Sequence, residues 1–290
     1  MEMVKTTERS GDLLVFRYSQ EDFQSIATLL KRETGISLGK TKNAFVYSRL
    51  TKRLRSLGLD DFKHYCVLVE SERGAAERRE MIAALTTNVT KFFREPHHFE
   101  HLAGELDRLA PQVRAGGRLR IWSAACSNGQ EAFSIAMTIY GALPDADALD
   151  VKVLGTDIDV NMIAAARLAE YHEEAVAAIP SDLREKWLCR SSRREHWRMN
   201  ERLSSLVTFR ELNLIRPWPM KRKFDAIFCR NVAIYFDDRT QQEMWRRFVP
   251  ALATGGVLYI GHSERVSGPA LHHLVGDGVT TYRLTTGGCP

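Results

Sequence analysis

The stretch from Arg118 to Tyr140 constrains this chain more than any other. A short, mostly apolar run, Leu119 to Trp122, passes through Ser123, Ala124 and Ala125 into a turn at Asn128 and Gly129. Phe133, Ala136, Met137 and Tyr140 then recur at helical spacing, which predicts strand, tight turn and helix. In an open α/β sheet the crevice beyond the carboxyl end of such a strand receives nucleotide-like ligands, because small side chains permit close approach and the helix N-terminus offers free N–H groups. Gly129 is the only glycine where a dinucleotide fingerprint has three, and the phosphate-loop lysine is missing, so a pyrophosphate ligand is disfavoured. Glu131, at the start of the helix, suits a ligand with hydroxyls or an ammonium group. Taken alone, the unit is equally compatible with plain scaffold.

Downstream, Val151 to Thr156 reads as a second buried strand ending in Asp157 and Asp159, with a helix from Asn161 to Ala169. An acid at the end of a second parallel strand can accept both protons of a ribose diol, so Asp157 is the expected ribose ligand. The rhythm resumes with Leu206 to Glu211 running into Asn213 and Leu214, and with Phe224 to Cys229 presenting Arg230 and Asn231. A helix from Thr240 to Leu252 and strands at Val257 to Ile260 and Thr280 to Leu284 complete a doubly wound, mostly parallel α/β sheet. Between Tyr171 and Leu203 the pattern is interrupted by a helix-like stretch and then by Lys186 to Arg190, a Ser191-Ser192 turn and Glu195 to Met199, which predicts a small antiparallel insert. Arg184, Arg190, Arg193, Arg194, Arg198 and Arg202 make that insert basic.

At 290 residues two domains are the natural expectation. The N-terminal third reads as all-helical: a helix from Ser19 to Gly35, a second from near Lys40, and two more over Asp61 to Glu72 and Ala75 to Leu85. Residues 1 to about 18, with the apolar run Leu13 to Phe16, are expected to form a loosely ordered arm. Net charge is +5, but its placement says more: no acid stands between Glu33 and Asp60, while Lys40, Lys42, Arg49, Lys52, Arg53 and Arg55 crowd one helix that also carries Phe45, Val46, Leu50 and Leu54 as an apolar stripe. Such a face fits nucleic acid, an acidic protein surface, or solvent alone.

The five cysteines are scattered without a C-x-x-C pair, which implies reduced thiols and neither a disulfide framework nor a zinc site. No signal-peptide-like start and no run of about 18 apolar residues is seen, so a cytoplasmic protein without membrane insertion is expected. His97 and His101 have the i, i+4 spacing of helical metal ligands, yet no HExxH or third ligand accompanies them, and no metal is expected.

Four stretches in order, Leu85 to Phe99, Trp122 to Ile135, Gly155 to Asp159 and Phe228 to Asp237, together resemble the chemoreceptor methyltransferases of bacterial chemotaxis. The resemblance implies a helical N-terminal domain over residues 1–95, a linker helix over 96–117, and a Rossmann-like class I methyltransferase domain over 118–290 with a β subdomain inserted at about 172–205. It implies S-adenosylmethionine as cofactor, S-adenosylhomocysteine as product, and esterification of glutamate side chains on cytoplasmic receptor helices. Carried over by motif, Asn88, Thr90, Arg94, Glu131, Asp157, Asn213, Leu214, Arg230 and Asn231 are cofactor-site residues, and Arg94 and Tyr235 line the transfer site. Asn213 can pair with the adenine amino group and a ring nitrogen. Cys126, Gln130 and Ala132 depart from many relatives without removing a ligand.

Relatives that dock on a C-terminal receptor pentapeptide carry a glycine-bearing loop in the β subdomain, whereas Cys189 to Glu195 has none, so independence from that peptide is expected. The basic helix Lys40 to Arg55 is the expected receptor-docking element. Two rival classes share the fold. A nucleic-acid methyltransferase usually needs an Asn/Asp-Pro-Pro-aromatic loop where this chain has Asn231-Val-Ala-Ile, and a non-catalytic binding protein would not need every cofactor ligand. No nucleic-acid partner is expected.

Overall fold

The computed structural model describes residues 15–285, and most of the proposed N-terminal arm, together with Cys289, lies outside them. The chain divides into two compact units, up to Thr87 and from Asn88 onward. Residues 88–95, expected in the helical domain, therefore belong to the second unit.

The first unit is helical because its caps and apolar periodicity agree. Helix α1 (Gln20–Thr34) starts at a capping box in which the Ser19 side chain accepts from the Asp22 N–H and Asp22 reaches back to Ser19. It stops at Gly35, whose φ of 79° is left-handed. Helix α2 (Asn43–Leu57) follows a short 3-10 turn at Lys40–Lys42, so the basic segment is two elements. Asp61 caps α3 (Phe62–Glu70), and α4 (Ala75–Leu85) completes the unit. Phe23, Ile26, Leu30, Val46, Leu50, Leu54, Phe62 and Met81 are all buried.

The charge on α2 is divided between two jobs. Arg53 holds Glu77 of α4 through a bidentate pair, Nε to Oε1 at 2.9 Å and Nη2 to Oε2 at 2.6 Å, while Tyr65 Oη donates to the same carboxylate at 2.9 Å. Arg53, expected on the partner-facing surface, is thus a tie within the unit. Lys42, Arg49, Lys52 and Arg55 remain exposed, and Phe45 lies 5.8 Å beneath Lys42 Nζ and 5.3 Å from the Arg49 guanidinium.

The second unit is built on a seven-stranded sheet. Its strands are β1 (Arg118–Ala124), β2 (Asp150–Asp157), β6 (Val207–Glu211), β7 (Phe224–Cys229), β8 (Leu252–Ile260), β9 (Leu274–Gly278) and β10 (Thr281–Leu284), in the order β6-β2-β1-β7-β8-β10-β9. The first five are parallel and β10 runs antiparallel to both neighbours. Because strand side chains alternate, Leu119 and Ile121 join the core with α5 (His97–Arg114) and α6 (Gln130–Ala142). Trp122 points the other way, 4.9 Å from Trp218, 5.3 Å from Phe224 and 5.4 Å from Phe248 of α11 (Asp238–Ala251) by ring centroids. Helix α5, expected as a linker, is a core helix of this unit.

Helix α7 (Val160–Leu168) follows β2, and the insert comes after it. Strands β3 (Glu170–His172), β4 (Leu188–Arg190) and β5 (His196–Met199) form a three-stranded antiparallel sheet in the order β3-β5-β4. Short helices α8 (Glu173–Val176), α9 (Ser181–Trp187) and α10 (Glu201–Ser204) surround it. Three-residue β3 begins two residues before the expected start of the insert, and β9 was not expected at all.

Loss of the Arg53 tie leaves Glu77, only 8% exposed, without its partner. Arg53→Ala is expected to lower the stability of the first unit by about 1–3 kcal/mol. Lys52→Ala on the exposed face stays within about 0.5 kcal/mol, and urea unfolding of the full chain separates the two.

Candidate active site at the strand ends

Parallel strands β6, β2, β1, β7 and β8 all finish at one edge, and the direction of strand succession reverses between β1 and β7. That reversal opens a crevice for a ligand. Across it, in spatial order, stand Asn213 after β6, Asp157 closing β2, the turn from Ala125 to Gly129 and Glu131 after β1, and Arg230 with Asn231 after β7. Nearly all the expected cofactor residues thus share one edge. Thr90 and Arg94 belong to the segment that begins at Asn88, and Tyr235 closes a 3-10 turn over Ala233–Tyr235.

Two bonded groups hold this edge. In the first, the Asp157 carboxylate accepts from the Ser127 N–H at 2.8 Å and the Asp159 N–H at 2.9 Å. The Ser127 hydroxyl donates to the Asn88 carbonyl at 2.9 Å, and the Asn88 amide donates to Asp159 Oδ2 at 2.7 Å. Asp157 and Asn88 therefore brace the β1–α6 turn. The Leu212 N–H donates to the Asp157 carbonyl at 2.9 Å, which places Asn213 beside the end of β2. Asn213 Oδ1 accepts from the Ile215 N–H, while the Leu214 carbonyl is taken by Trp218 and Arg247.

In the second group Arg230, whose side chain is 2% exposed, links three segments. Its guanidinium lies 3.1 Å from Glu131 Oε2 and 3.3 Å from Glu95 Oε2, and it donates to the Arg94 carbonyl. Ser123 donates to the other oxygen of Glu131 at 2.7 Å. Strand alternation turns Ser123 toward α6, as it does Ile121. Arg94 itself sends Nη1 to the Val89 carbonyl at 2.9 Å.

Two carboxylates share one cation here, and their protonation diverges. Burial pushes the Glu131 carboxyl up despite Arg230. Burial also opposes the charge on Glu95, but Arg230 and His262 outweigh it and hold that carboxyl at about 2. With both ionised the group carries one surplus negative charge, suited to a cationic ligand centre. Asp157 is pushed up to about 6 by burial, against the backbone N–H bonds that favour its charge.

Glu95, His262 and Glu264, which sequence reasoning did not single out, also bond to the residues at this edge. His262 Nδ1 lies 3.2 Å from Glu95 Oε1, and Asn231 reaches the same oxygen at 3.4 Å. Of the two histidines at i, i+4, His101 meets Tyr259 Oη at 2.9 Å and Asp277 at 3.2 Å, while the His97 ring packs on His98. Glu95, His97 and His98 do offer ligand atoms within 4.8 Å of one another. A divalent cation there would face the Arg230 guanidinium already paired with Glu95, so the group is not assigned as a metal centre.

The comparisons decide the family. Residues 21–86 match the all-alpha domain of CheR methyltransferases, and residues 88–276 match their SAM binding domain. The chain belongs to the CheR methyltransferase family. It is 50% identical over 263 residues to a probable chemotaxis protein methyltransferase of Rhizobium etli, covering 90% of this chain and 98% of the relative. The chemotaxis protein methyltransferase of Escherichia coli is 44% identical, covering 86% of each chain. Chemotaxis protein methyltransferase 2 of Pseudomonas aeruginosa is 42% identical, covering 92% of this chain and 94% of its own length. The chain is a methyltransferase with S-adenosylmethionine as its cofactor. The donor set fits that group, since the sulfonium and ammonium are cations and the ribose supplies hydroxyl donors for a carboxylate.

Burial of Asp157 gives a pH test with a definite sign. Its raised value means the folded chain keeps this proton longer than the unfolded one, so its contribution to stability declines between 3.8 and about 6. A hydroxyl-donating ligand favours the carboxylate, so binding releases protons and affinity rises with pH to a plateau above about 6. Calorimetry of S-adenosylhomocysteine binding at that pH, in two buffers of different ionisation enthalpy, is expected to register proton release. A buffer-independent enthalpy would remove Asp157 from the ligand.

Proposed function

We propose that this enzyme transfers the methyl group of S-adenosylmethionine to glutamate side chains on the cytoplasmic helices of chemoreceptors, forming methyl esters. The reading is supported above all by relatives named as chemotaxis protein methyltransferases that match the chain over most of its length. A glutamate with an ordinary pKa of about 4.3 is already a carboxylate at neutral pH, so no general base is needed. The cofactor supplies a methyl group already activated on a sulfonium.

The remaining work falls to position and solvent exclusion, which supply roughly 7–11 kcal/mol when alignment is good. Asp157 takes the ribose, Asn213 the adenine, and the Glu131–Arg230 pair the charged methionine end. Asn88 and the segment through Thr90 close that end, with Leu214 and Asn231 as flanking contacts. Arg94 and Tyr235 line the transfer position, where Arg94 orients the carboxylate without quenching it.

Receptor capture is assigned to the exposed face of the basic segment formed by the Lys40–Lys42 turn and α2. Lys42, Arg49 and Lys52 follow one another at helical spacing around Phe45, and no acid interrupts them. The β subdomain is a weaker electrostatic surface than its arginine content implies. Arg198 and Arg193 pair with Glu170, Arg190 with Glu173 and Arg202 with Asp147, and even the highly exposed Arg194 lies 3.6 Å from Glu195. The turn between β4 and β5 has no glycine to let a peptide backbone approach closely, so recruitment is independent of a C-terminal receptor pentapeptide.

Radiolabelled methyl transfer to receptor membranes, with nucleic acid as a parallel substrate, tests the reaction. Alkali-labile label on the receptor is expected, and label on nucleic acid alone would overturn the reading. The triple variant Lys42→Glu, Arg49→Glu, Lys52→Glu is expected to raise the KM for receptor several-fold and to flatten the fall in rate with salt, because exposed charges are screened over about 8 Å at physiological ionic strength. S-adenosylhomocysteine affinity is expected to stay unchanged. Removal of the receptor tail should leave wild-type activity in place, and its loss would restore the subdomain as a tether.

A further inference from the structure

The register of β7 and β8 pairs Cys229 with Ile260, so the chain after each strand leaves the sheet side by side. After β7 come Arg230, Asn231 and the turn that ends in Tyr235; after β8 come Gly261 and a tight turn in which the Glu264 N–H donates to the Gly261 carbonyl at 2.9 Å. That turn puts the Glu264 carboxylate, only 3% exposed, under the loop that carries the transfer-site residues.

One oxygen accepts from the N–H groups of Gly261 at 2.6 Å and Asn231 at 2.9 Å. The other accepts from Ala233 at 2.7 Å and Ile234 at 3.4 Å. Among the described residues Glu264 has no ion pair, so backbone dipoles answer its charge. Asn231 is held at φ 58°, in the left-handed region that asparagine adopts more readily than most side-chain-bearing residues. Gly261 permits the approach, since a Cβ there would fall 2.4 Å from Asn231 Nδ2 and 2.8 Å from its backbone nitrogen.

We infer that Glu264 is a positioning residue for methyl transfer: it fixes the backbone from Asn231 to Ile234 and so sets where Asn231 and Tyr235 stand at the reacting end of the crevice. The inference rests on the methyl-transfer reading above for its kinetic consequence, but its structural core does not. Arg230 is secured separately by Glu131, Glu95 and the Arg94 carbonyl, so Glu264 governs the loop beyond it.

Glu264→Gln keeps the size of the side chain but turns an NH2 donor toward one of the two N–H pairs, which forces the loop to shift. Misplacement of about 1 Å in a reacting geometry costs on the order of 10²-fold. The expected result is a 10- to 100-fold fall in kcat on receptor, with a clearly smaller loss of S-adenosylhomocysteine affinity, through the displaced Asn231 contact alone. Gly261→Ala presses on Asn231 from the other side and is expected to give the same kcat-selective loss. Glu264→Asp keeps both acceptor oxygens and is expected to recover part of it.

Amide hydrogen exchange supplies a readout that needs no substrate: the Asn231, Ala233 and Ile234 N–H groups are expected to be protected in the wild type and to exchange faster in Glu264→Gln. Wild-type protection lost in the variant, together with the kcat split, establishes the role. Unchanged kcat in a folded variant, or a loss of cofactor affinity as large as the loss of kcat, overturns it. If Glu264→Gln does not fold, Gly261→Ala decides by the same criteria. A wild type inactive on receptors sinks the functional reading alone, and unprotected loop amides sink this inference alone.

Discussion

The arrangement of the crevice depends on one guanidinium. Arg230 leaves β7 almost fully buried and meets Glu131 at the start of α6, Glu95 ahead of α5 and the carbonyl of Arg94. A buried cation without partners would cost several kcal/mol, and so would either buried carboxylate. Each therefore requires the others. The mutual requirement draws the segment from Asn88 to Glu95 onto the strand ends, where it supplies one wall of the site. It also leaves this group with one surplus negative charge when both acids are ionised.

Much of this was legible in the chain because it is encoded locally. The run into Gly129, the acid at Asp157 and the apolar stretch from Phe224 to Cys229 each carry strand and turn signals within a few residues, and each stands where it was expected. Elements without such signals were missed. Strand β9 reads as a loop, because Leu274-Val-Gly-Asp-Gly contains two glycines, and it is held as a strand only by its pairing with β10. Strand β3 is three residues long and has no periodicity to detect.

Partners distant in sequence were equally hidden. Arg53 looks like one more exposed cation on a basic helix until Glu77 is found across the fold, and Glu264 looks like a loop acid until the N–H groups of the neighbouring strand end are seen around it. Charge patterning therefore marks a basic segment but not which of its charges are already paired within the fold. The distinction is physical: a salt bridge between helices depends on tertiary packing, and helical spacing on one of them carries no information about the other.

The left-handed residues around the crevice have a consequence for how its turns are held. Phe93, Glu95, Ala125, Ser127 and Asn231 all have positive φ between 50° and 66°, and none is glycine. Each such conformation costs of order 1–3 kcal/mol and must be held by its surroundings. Ser127 and Asn231 are each held through the backbone N–H by a carboxylate, Asp157 and Glu264, so bonds within the folded chain set these two turns. Replacing either acid therefore removes a charged group and, with it, the bond that offsets a left-handed backbone.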